Sequence, residues 1–218
     1  MLLEKEKEWI KILKTKLPDD PIVFDVGAHK AEYSDYLVSV IPKALCMLFE
    51  PSDELFKWLQ DNKTYSMWKC AVKDADGLFW FWDIPGREIS SLYYRKVFND
   101  IPELTKRWVM CRTLDYIHRH VCHTNWVISL LKLDVEGAEL PALMGGSSLL
   151  KNKAITFIQF ENGETLVDAG YGLPDVVRYL NSFGYRVYDI IDGAIVEVGD
   201  NNDTLEYTNF VATYKKMI

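Results

Sequence analysis

The sequence lacks any hydrophobic run long enough to cross a bilayer. Its longest uninterrupted apolar stretch covers residues 44–49, whereas a membrane-spanning helix needs roughly 20 apolar residues. The start of the chain also lacks the apolar core of a secretory leader, because glutamates and lysines interrupt residues 1–17 throughout. We therefore expect no membrane partner and no export.

Cysteines and clustered basic residues are scarce as well. The four cysteines (Cys46, Cys70, Cys111 and Cys122) are widely spaced, which is typical of a reduced, cytoplasmic protein. The formal net charge is −7, and no run of lysine or arginine offers the clustered positive charge that binds phosphates. We therefore expect no nucleic-acid partner, and the composition leaves the oligomeric state open.

Short apolar segments alternate with helical segments over most of the chain. Segments typical of strands occupy residues 21–26, 44–50, 65–72, 127–133, 155–160, 185–191 and 207–214, and the clearest helical patterns occupy 30–40, 53–62 and 173–183. Strands that are apolar throughout, rather than alternately, are typical of a parallel sheet covered on both faces. The sequence therefore predicts an α/β fold with a seven-stranded, mostly parallel sheet and helices on both faces.

The N-terminal segment has a helical pattern of its own. Trp9, Leu13 and Leu17 recur four residues apart among charged side chains of both signs. Apolar residues at this spacing form one stripe along a helix. We predict an amphipathic helix within residues 1–19 that packs on a single domain formed by residues 20–218.

One internal region departs from the strand and helix alternation. Residues 78–126 combine an extra strand at 78–82, a loop at 86–102 and a helix at 113–121. Long irregular segments in compact domains often form lids over active sites. We interpret this region as an insertion or lid of the single domain.

Polar side chains stand at the ends of four predicted strands. They are Asp25 and His29 after the first strand, Glu50 after the second, Asp134 and Glu136 after the fourth, and Glu161 and Asn162 after the fifth. Ligands of open α/β sheets bind at the carboxyl ends of the strands. The pattern predicts a binding site there, and the alternative is that these side chains only face water.

The turn after the first strand separates two classes of nucleotide. A dinucleotide site needs the glycines of G-x-G-x-x-G for close approach to a pyrophosphate, and this turn has only Gly27. Asp25 would repel a phosphate but suits an ammonium group, and Glu50 suits the two hydroxyls of a ribose. The arrangement favours S-adenosylmethionine over NAD.

Three segments together resemble the FkbM family of S-adenosylmethionine-dependent methyltransferases. They are residues 24–34 (FDVGAHKAEYS), 49–51 (FEP) and 131–139 (LKLDVEGAE), with support from 113–115, Gly163 and 209–212. The resemblance implies a Rossmann-like class I methyltransferase fold with strand order 3-2-1-4-5-7-6. The family usually has glycine where this chain has Ala31, and alanine is tolerated there only if its φ is negative.

The resemblance also implies roles for individual residues. The cofactor-binding residues would be Asp25, Gly27, Ala28, His29, Glu50, Ala71 and Asp134. The catalytic residues would be Asp134, Lys132, Glu136 and His29. A magnesium ion could be held by Asp134, Glu161 and Asn162, whose oxygen atoms suit that ion. Ser90 and Ser91 would face the active site or form an ordinary turn.

The expected reaction is O-methylation of a hydroxyl group on a small molecule or sugar. Trp80 and Trp82 would either stack on a sugar ring or pack in the fold. Two alternatives remain open at this point: an inactive S-adenosylmethionine-binding module and an NAD-dependent oxidoreductase. A zinc site within residues 111–123 is disfavoured, because His118 and His120 lie on different sides of a helix and no C-x-x-C pair is present.

Overall fold

The computed structural model describes residues 3–84, 89–121, 126–201, 204 and 206–217. The elements in chain order are α1 (Glu4–Lys14), β1 (Ile22–Val26), α2 (Glu32–Val40), β2 (Leu45–Phe49), α3 (Asp53–Asn62), β3 (Ser66–Trp68), β4 (Ala71–Val72), β5 (Gly77–Asp83), a short 3-10 helix (Lys96–Asp100), β6 (Thr105–Arg112), α4 (Leu114–Val121), β7 (Ile128–Leu133), α5 (Glu139–Met144), α6 (Ser147–Lys151), β8 (Ile155–Asn162), α7 (Glu164–Asp168), α8 (Leu173–Ser182), β9 (Arg186–Ile191), β10 (Ala194–Val198) and β11 (Thr208–Thr213).

The main sheet has the order β10-β9-β11-β8-β7-β1-β2-β3. The pairs from β8 to β3 are parallel, whereas β11 is antiparallel to both of its neighbours. Without β10, this is the expected order 3-2-1-4-5-7-6, so the predicted Rossmann-like topology of class I methyltransferases is confirmed.

The predicted number of seven strands is wrong by one, because β10 adds an eighth strand at the edge. It forms a hairpin with β9 across Asp192 and Gly193, whose φ angles are +51° and +75°. Two consecutive residues with positive φ form the tight turn that matches the twist of a hairpin.

The central strands are apolar throughout because both faces of the sheet are covered. Successive residues of a strand point to opposite faces. Phe24 and Leu131 pack into one core, and their neighbours Val23 and Leu130 pack into another on the opposite face. Every residue of β7 and of β8 is buried.

The third predicted strand, residues 65–72, is two strands in two sheets. β3 extends the main sheet, whereas β4 pairs with β6 in a second sheet of order β4-β6-β5. β6 lies in the insertion and was not predicted, because charged and apolar residues are mixed along it. β5 and β6 are antiparallel, and Trp80 lies opposite Trp108.

The helix α1 packs against α2 and β11. Trp9 and Leu13 are fully buried, and the indole N–H of Trp9 donates to the carbonyl oxygen of Asn209 at 3.2 Å. Lys5 forms an ion pair with Asp189 of β9. Among the described residues, no helix combines the length and the apolar character needed to cross a membrane.

Candidate functional site

The carboxyl ends of β1, β2 and β7 border a cavity with a mixed lining. Its apolar part includes Phe49, Leu55, Ala71, Val72 and Phe81. Its carboxylates are Glu6, Glu32, Glu50, Asp134, Glu136 and Glu161, and Lys132 supplies an ammonium group. Such a lining can hold a flat apolar ring together with positively charged or hydroxylated groups.

Gly27 allows two strand ends to approach each other closely. Its φ is +80°, and a Cβ atom at this position would lie 1.8 Å from the carbonyl oxygen of Asp134. The N–H groups of Gly27 and Ala28 donate to the carbonyl oxygen of Phe49 at 3.0 and 3.2 Å. The turn after β1 is therefore tied to the end of β2 and pressed against the end of β7.

Glu50 presents a carboxylate that two backbone groups hold in place. The N–H of His29 donates to its Oε2 at 3.0 Å, and the N–H of Ser52 donates to its Oε1 at 2.8 Å. Burial raises the pKa of Glu50 to about 7, although both backbone donors favour the charged form. Each carboxylate oxygen can still accept a further hydrogen bond from a ligand.

The turn after β1 also holds non-glycine residues in the left-handed region. His29 has a φ of +48° and Ala31 a φ of +61°. The condition under which alanine would replace the family's glycine without strain is therefore not met. A left-handed conformation costs an alanine roughly 1–2 kcal/mol. Ala31 lies just before α2, so its strain falls on the loop that borders the cavity.

Asp25 lies behind the cavity wall and supports it. It is fully buried, and its Oδ2 accepts a hydrogen bond from the hydroxyl of Ser34 at 2.6 Å. Its Oδ1 lies 3.4 Å from the ammonium nitrogen of Lys132. Asp25 is not among the residues that line the cavity, and its ion pair with Lys132 connects it to that lining.

Lys132 is held as a cation between two carboxylates. Its Nζ lies 3.1 Å from Oδ2 of Asp134 and is also paired with Asp25. Burial disfavours the ammonium form, but Asp134 and Asp25 outweigh this effect and raise the pKa of Lys132 well above its usual value. The raised pKa favours the ammonium form, and this ammonium group contacts the carboxylate of Asp134.

Asp134, Glu136 and Glu161 bring their carboxylate oxygens within 4.8 Å of one another. Glu136 forms a buried ion pair with Arg95. Glu161 accepts a hydrogen bond from the hydroxyl of Tyr207 at 2.7 Å. Burial, together with the nearby Asp134 and Glu136, raises the pKa of Glu161 to about 10. The crowding of these carboxylates therefore favours the protonated form of Glu161.

The structure does not bring Asn162 into this group. Its side-chain amide donates to the carbonyl oxygens of Thr204 and Glu206 at 3.0 and 3.1 Å, and it lies outside the cavity lining. Among the described residues, the group of acids that could hold a metal contains Glu136 in the place predicted for Asn162.

The paired serines lie at the site, whereas the two tryptophans do not. Ser90 lines the cavity and donates to Oδ1 of Asp83 at 2.9 Å. Ser91 is buried and donates to the carbonyl oxygen of Glu136 at 2.7 Å. Trp80 and Trp82 alternate with Phe81, which lines the cavity, so they lie on the opposite face of the second sheet.

Three residues that the sequence analysis did not single out belong to the site or support it. Glu6 and Tyr207 line the cavity, and Arg95 holds Glu136 from behind. A signal for Glu6 was present, because it precedes Trp9 by three residues and therefore lies on the buried stripe of α1. Neither Arg95 nor Tyr207 stands in a recognisable pattern.

The cysteines and histidines of residues 111–123 have separate surroundings. Cys111 is buried beside Phe81 and Val109, and burial raises its pKa to about 12. His118 Nε2 lies 2.7 Å from the carbonyl oxygen of Trp126, and His120 Nδ1 lies 2.8 Å from that of Tyr116. Cys122 and His123, the other two candidates for zinc, lie outside the described residues.

Comparison with solved structures gives distant similarities to methyltransferases. A precorrin-6y C5,15-methyltransferase from Geobacter metallireducens has 12% identity, a TM-score of 0.47, and coverage of 96% of this chain and 87% of that chain. A putative rRNA methylase from Clostridium thermocellum has 9% identity, a TM-score of 0.49, and coverage of 98% and 97%. An S-adenosylmethionine-dependent O-methyltransferase from Thermotoga maritima has 9% identity, a TM-score of 0.45, and coverage of 98% and 66%.

Comparison at the level of sequence gives one family and no individual relative. A search of curated proteins returned no match. The sequence model of the methyltransferase FkbM domain matches residues 25–187 of the 218 in the chain. This range contains the turn at Gly27, the carboxylate of Glu50 and the acidic end of β7, so the resemblance seen in the sequence is confirmed. The chain belongs to the methyltransferase FkbM domain family.

Proposed function

We propose that this protein is an S-adenosylmethionine-dependent O-methyltransferase that methylates a hydroxyl group of a small molecule or sugar. The observation that carries the proposal is the carboxylate of Glu50, which two backbone N–H groups hold at the end of β2 inside a methyltransferase domain. This carboxylate stands beside the Gly27 turn, whose close approach to Asp134 leaves no room for a side chain.

The residues of the cavity fit the cofactor that the family uses. Glu50 can accept hydrogen bonds from both ribose hydroxyls, because each of its oxygens keeps a free lone pair. Ala71, Val72 and Phe81 give an apolar surface for the adenine. The acidic lining suits the positively charged sulfonium and ammonium groups of this cofactor. When bound, S-adenosylmethionine supplies an activated methyl group.

Asp134 is the residue we assign as the base. Asp134 lines the cavity and its side chain is 33% exposed, and Lys132 contacts its Oδ2, which leaves Oδ1 able to accept a proton. A positioned base removes the proton from an attacking hydroxyl. Asp134 would take the proton of the acceptor hydroxyl onto Oδ1, and Lys132 would orient the carboxylate beforehand.

The two acids grouped with Asp134, namely Glu136 and Glu161, already have partners of their own. Glu136 forms an ion pair with Arg95, and Glu161 accepts a hydrogen bond from the hydroxyl of Tyr207. Two of the three carboxylates that a magnesium ion would need therefore have donors of their own. We assign the reaction to alignment and a carboxylate base rather than to a metal ion.

A second function, cofactor binding without turnover, is favoured by one observation. Ala31 has a φ of +61° in the loop beside the cavity, where the family usually has glycine, so this loop departs from the pattern of the family. A protein of this kind would bind S-adenosylhomocysteine and serve as a partner surface. Turnover separates the two functions.

The test is transfer of a labelled methyl group. The protein is incubated with labelled S-adenosylmethionine and a cell lysate that has been separated into small-molecule, protein and nucleic-acid fractions. We expect the labelled methyl group in the small-molecule fraction, bound to an ether oxygen. Label on nitrogen, or label only in protein or nucleic acid, contradicts the proposed reaction or acceptor, and cofactor binding without label supports the binding module.

A further inference from the structure

Glu6 brings a buried carboxylate to the cavity without a basic partner. It is 7% exposed and lines the cavity. Its Oε2 accepts a hydrogen bond from the N–H of Leu3 at 2.9 Å. Among the described residues, no lysine, arginine or histidine lies within 4.0 Å of this carboxylate. A buried carboxylate is costly unless a donor or a cation compensates it.

The charged side chains of the described residues do not supply that cation. Lys132 acts on Glu6 only at longer range, and its charge is already shared by Asp25 and Asp134. Burial raises the pKa of Glu6, and the negative charges of Asp134 and Asp25 add to this effect. A positively charged ligand group beside Glu6 would compensate the negative charge of this buried carboxylate.

The helix that carries Glu6 is firmly held in place. Trp9 is fully buried, and its indole donates to Asn209 of β11. Lys5 donates to the hydroxyl of Thr208 at 2.6 Å. A carboxylate on a rigid, packed helix presents a ligand with a fixed partner, as a specificity site requires.

The position of α1 in the chain indicates which ligand Glu6 serves. The family match covers residues 25–187, which include β1, β2 and β7, whereas α1 lies outside it. The cofactor is common to the family, whereas acceptors depend on the parts added to a shared fold. Glu6 therefore belongs with the acceptor rather than with the cofactor.

We infer that Glu6 binds an ammonium group of the acceptor, so that the substrate is a hydroxylated small molecule that also carries an amine, such as an amino sugar. This inference rests on the proposed O-methyltransferase function. It narrows the acceptor class and makes Glu6 a specificity-determining residue.

The experiment separates acceptors by charge before the reaction. Small molecules from a lysate are passed over a cation-exchange resin at pH 7, which retains amines and passes neutral sugars. Wild-type protein is then incubated with labelled S-adenosylmethionine and each of the two fractions. We expect the methylated product to form from the retained fraction.

Variants then assign this preference to Glu6. Glu6→Gln keeps the shape and removes the charge, and we expect at least a tenfold lower kcat/KM for the retained acceptor with an unchanged Kd for S-adenosylhomocysteine. Glu4→Gln is the matched control, because Glu4 lies on the same helix with its side chain 87% exposed. It should leave both quantities unchanged.

The outcomes distinguish failure of the inference from failure of the proposed function. Product formed from the neutral fraction alone overturns the inference and leaves the O-methyltransferase in place. The inference is also overturned if Glu6→Gln and the wild type have the same kcat/KM for the retained acceptor. It is overturned likewise if Glu6→Gln weakens the binding of S-adenosylhomocysteine instead. If neither fraction gives a methylated product, the result contradicts the proposed function itself. If Glu6→Gln does not fold, the two fractions tested with the wild type still show whether the acceptor carries an amine.

Discussion

The backbone N–H of His29 donates a hydrogen bond of 3.0 Å to Oε2 of Glu50. This contact joins the loop after β1 to the end of β2, and it orients the carboxylate before any ligand arrives. A donor that is already in place lowers the cost of ordering the site on binding. The loop and the carboxylate are therefore coupled, and a substitution in one should change the conformation of the other.

Glu50 should make the stability of the fold depend on pH. Its pKa rises from 4.5 to about 7 on burial, so its contribution to stability is present below pH 4.5 and is lost as the pH rises through 7. The shift corresponds to about 3 kcal/mol. Urea unfolding between pH 4.5 and 8 should show that the free energy of unfolding falls more steeply with pH for the wild type than for Glu50→Gln. Parallel curves for the two proteins would contradict this assignment.

Ala31→Gly should stabilise the protein. Ala31 has a φ of +61°, which glycine adopts without strain, although glycine also loses more conformational freedom on folding. We expect a net gain of roughly 0.5–1 kcal/mol in the free energy of unfolding. Ala142→Gly, within α5, is the control and should destabilise. A loss of stability in Ala31→Gly would show that the loop is not strained.

Trp80→Ala should leave acceptor use unchanged. Trp80 stacks on Trp108 on the face of the second sheet that points away from the cavity. Its neighbour Phe81 lines the cavity, so Phe81→Leu should weaken binding of cofactor or acceptor. Steady-state kinetics of the two variants checks this contrast. A large rise in KM for Trp80→Ala would return the tryptophans to the acceptor site.

Methyl transfer should survive removal of divalent cations. Arg95 and Tyr207 already engage Glu136 and Glu161, so we expect no metal ion in this group. The rate is measured after treatment with a chelator and dialysis, and again after magnesium is added back. Activity that disappears with the chelator and returns with magnesium would show that the carboxylates hold an ion.

The parts of the fold that the sequence predicted are those with continuous patterns. β1, β7 and β8 are apolar on both faces, so their segments stand out from the charged helices around them. β6 was not predicted from the sequence because Lys106 and Arg107 precede its apolar residues. β10 escaped although Asp192 and Gly193 before it are typical of a hairpin turn.

The parts of the site that the sequence did not predict depend on contacts between distant segments. Asp25 stays a prediction as a cofactor-binding residue, and the sequence did not show that it lies outside the cavity lining, where it pairs with Lys132 of the adjacent strand. Asn162 follows Glu161 in the chain and points to the other side of the strand, where it binds Thr204 and Glu206. Spacing along the chain places a residue at a strand end but does not decide which neighbour it meets.

Calorimetric titration with S-adenosylhomocysteine measures directly whether Glu50 holds the cofactor. The wild type should bind it and should not bind NAD. Glu50→Ala should weaken binding by roughly 1–3 kcal/mol, because the ribose hydroxyls lose their buried partner. Glu54→Ala, which changes an exposed acid on α3, should bind as the wild type does. No heat of binding at millimolar S-adenosylhomocysteine, or a Glu50→Ala variant that binds it as tightly as the wild type, would contradict the account.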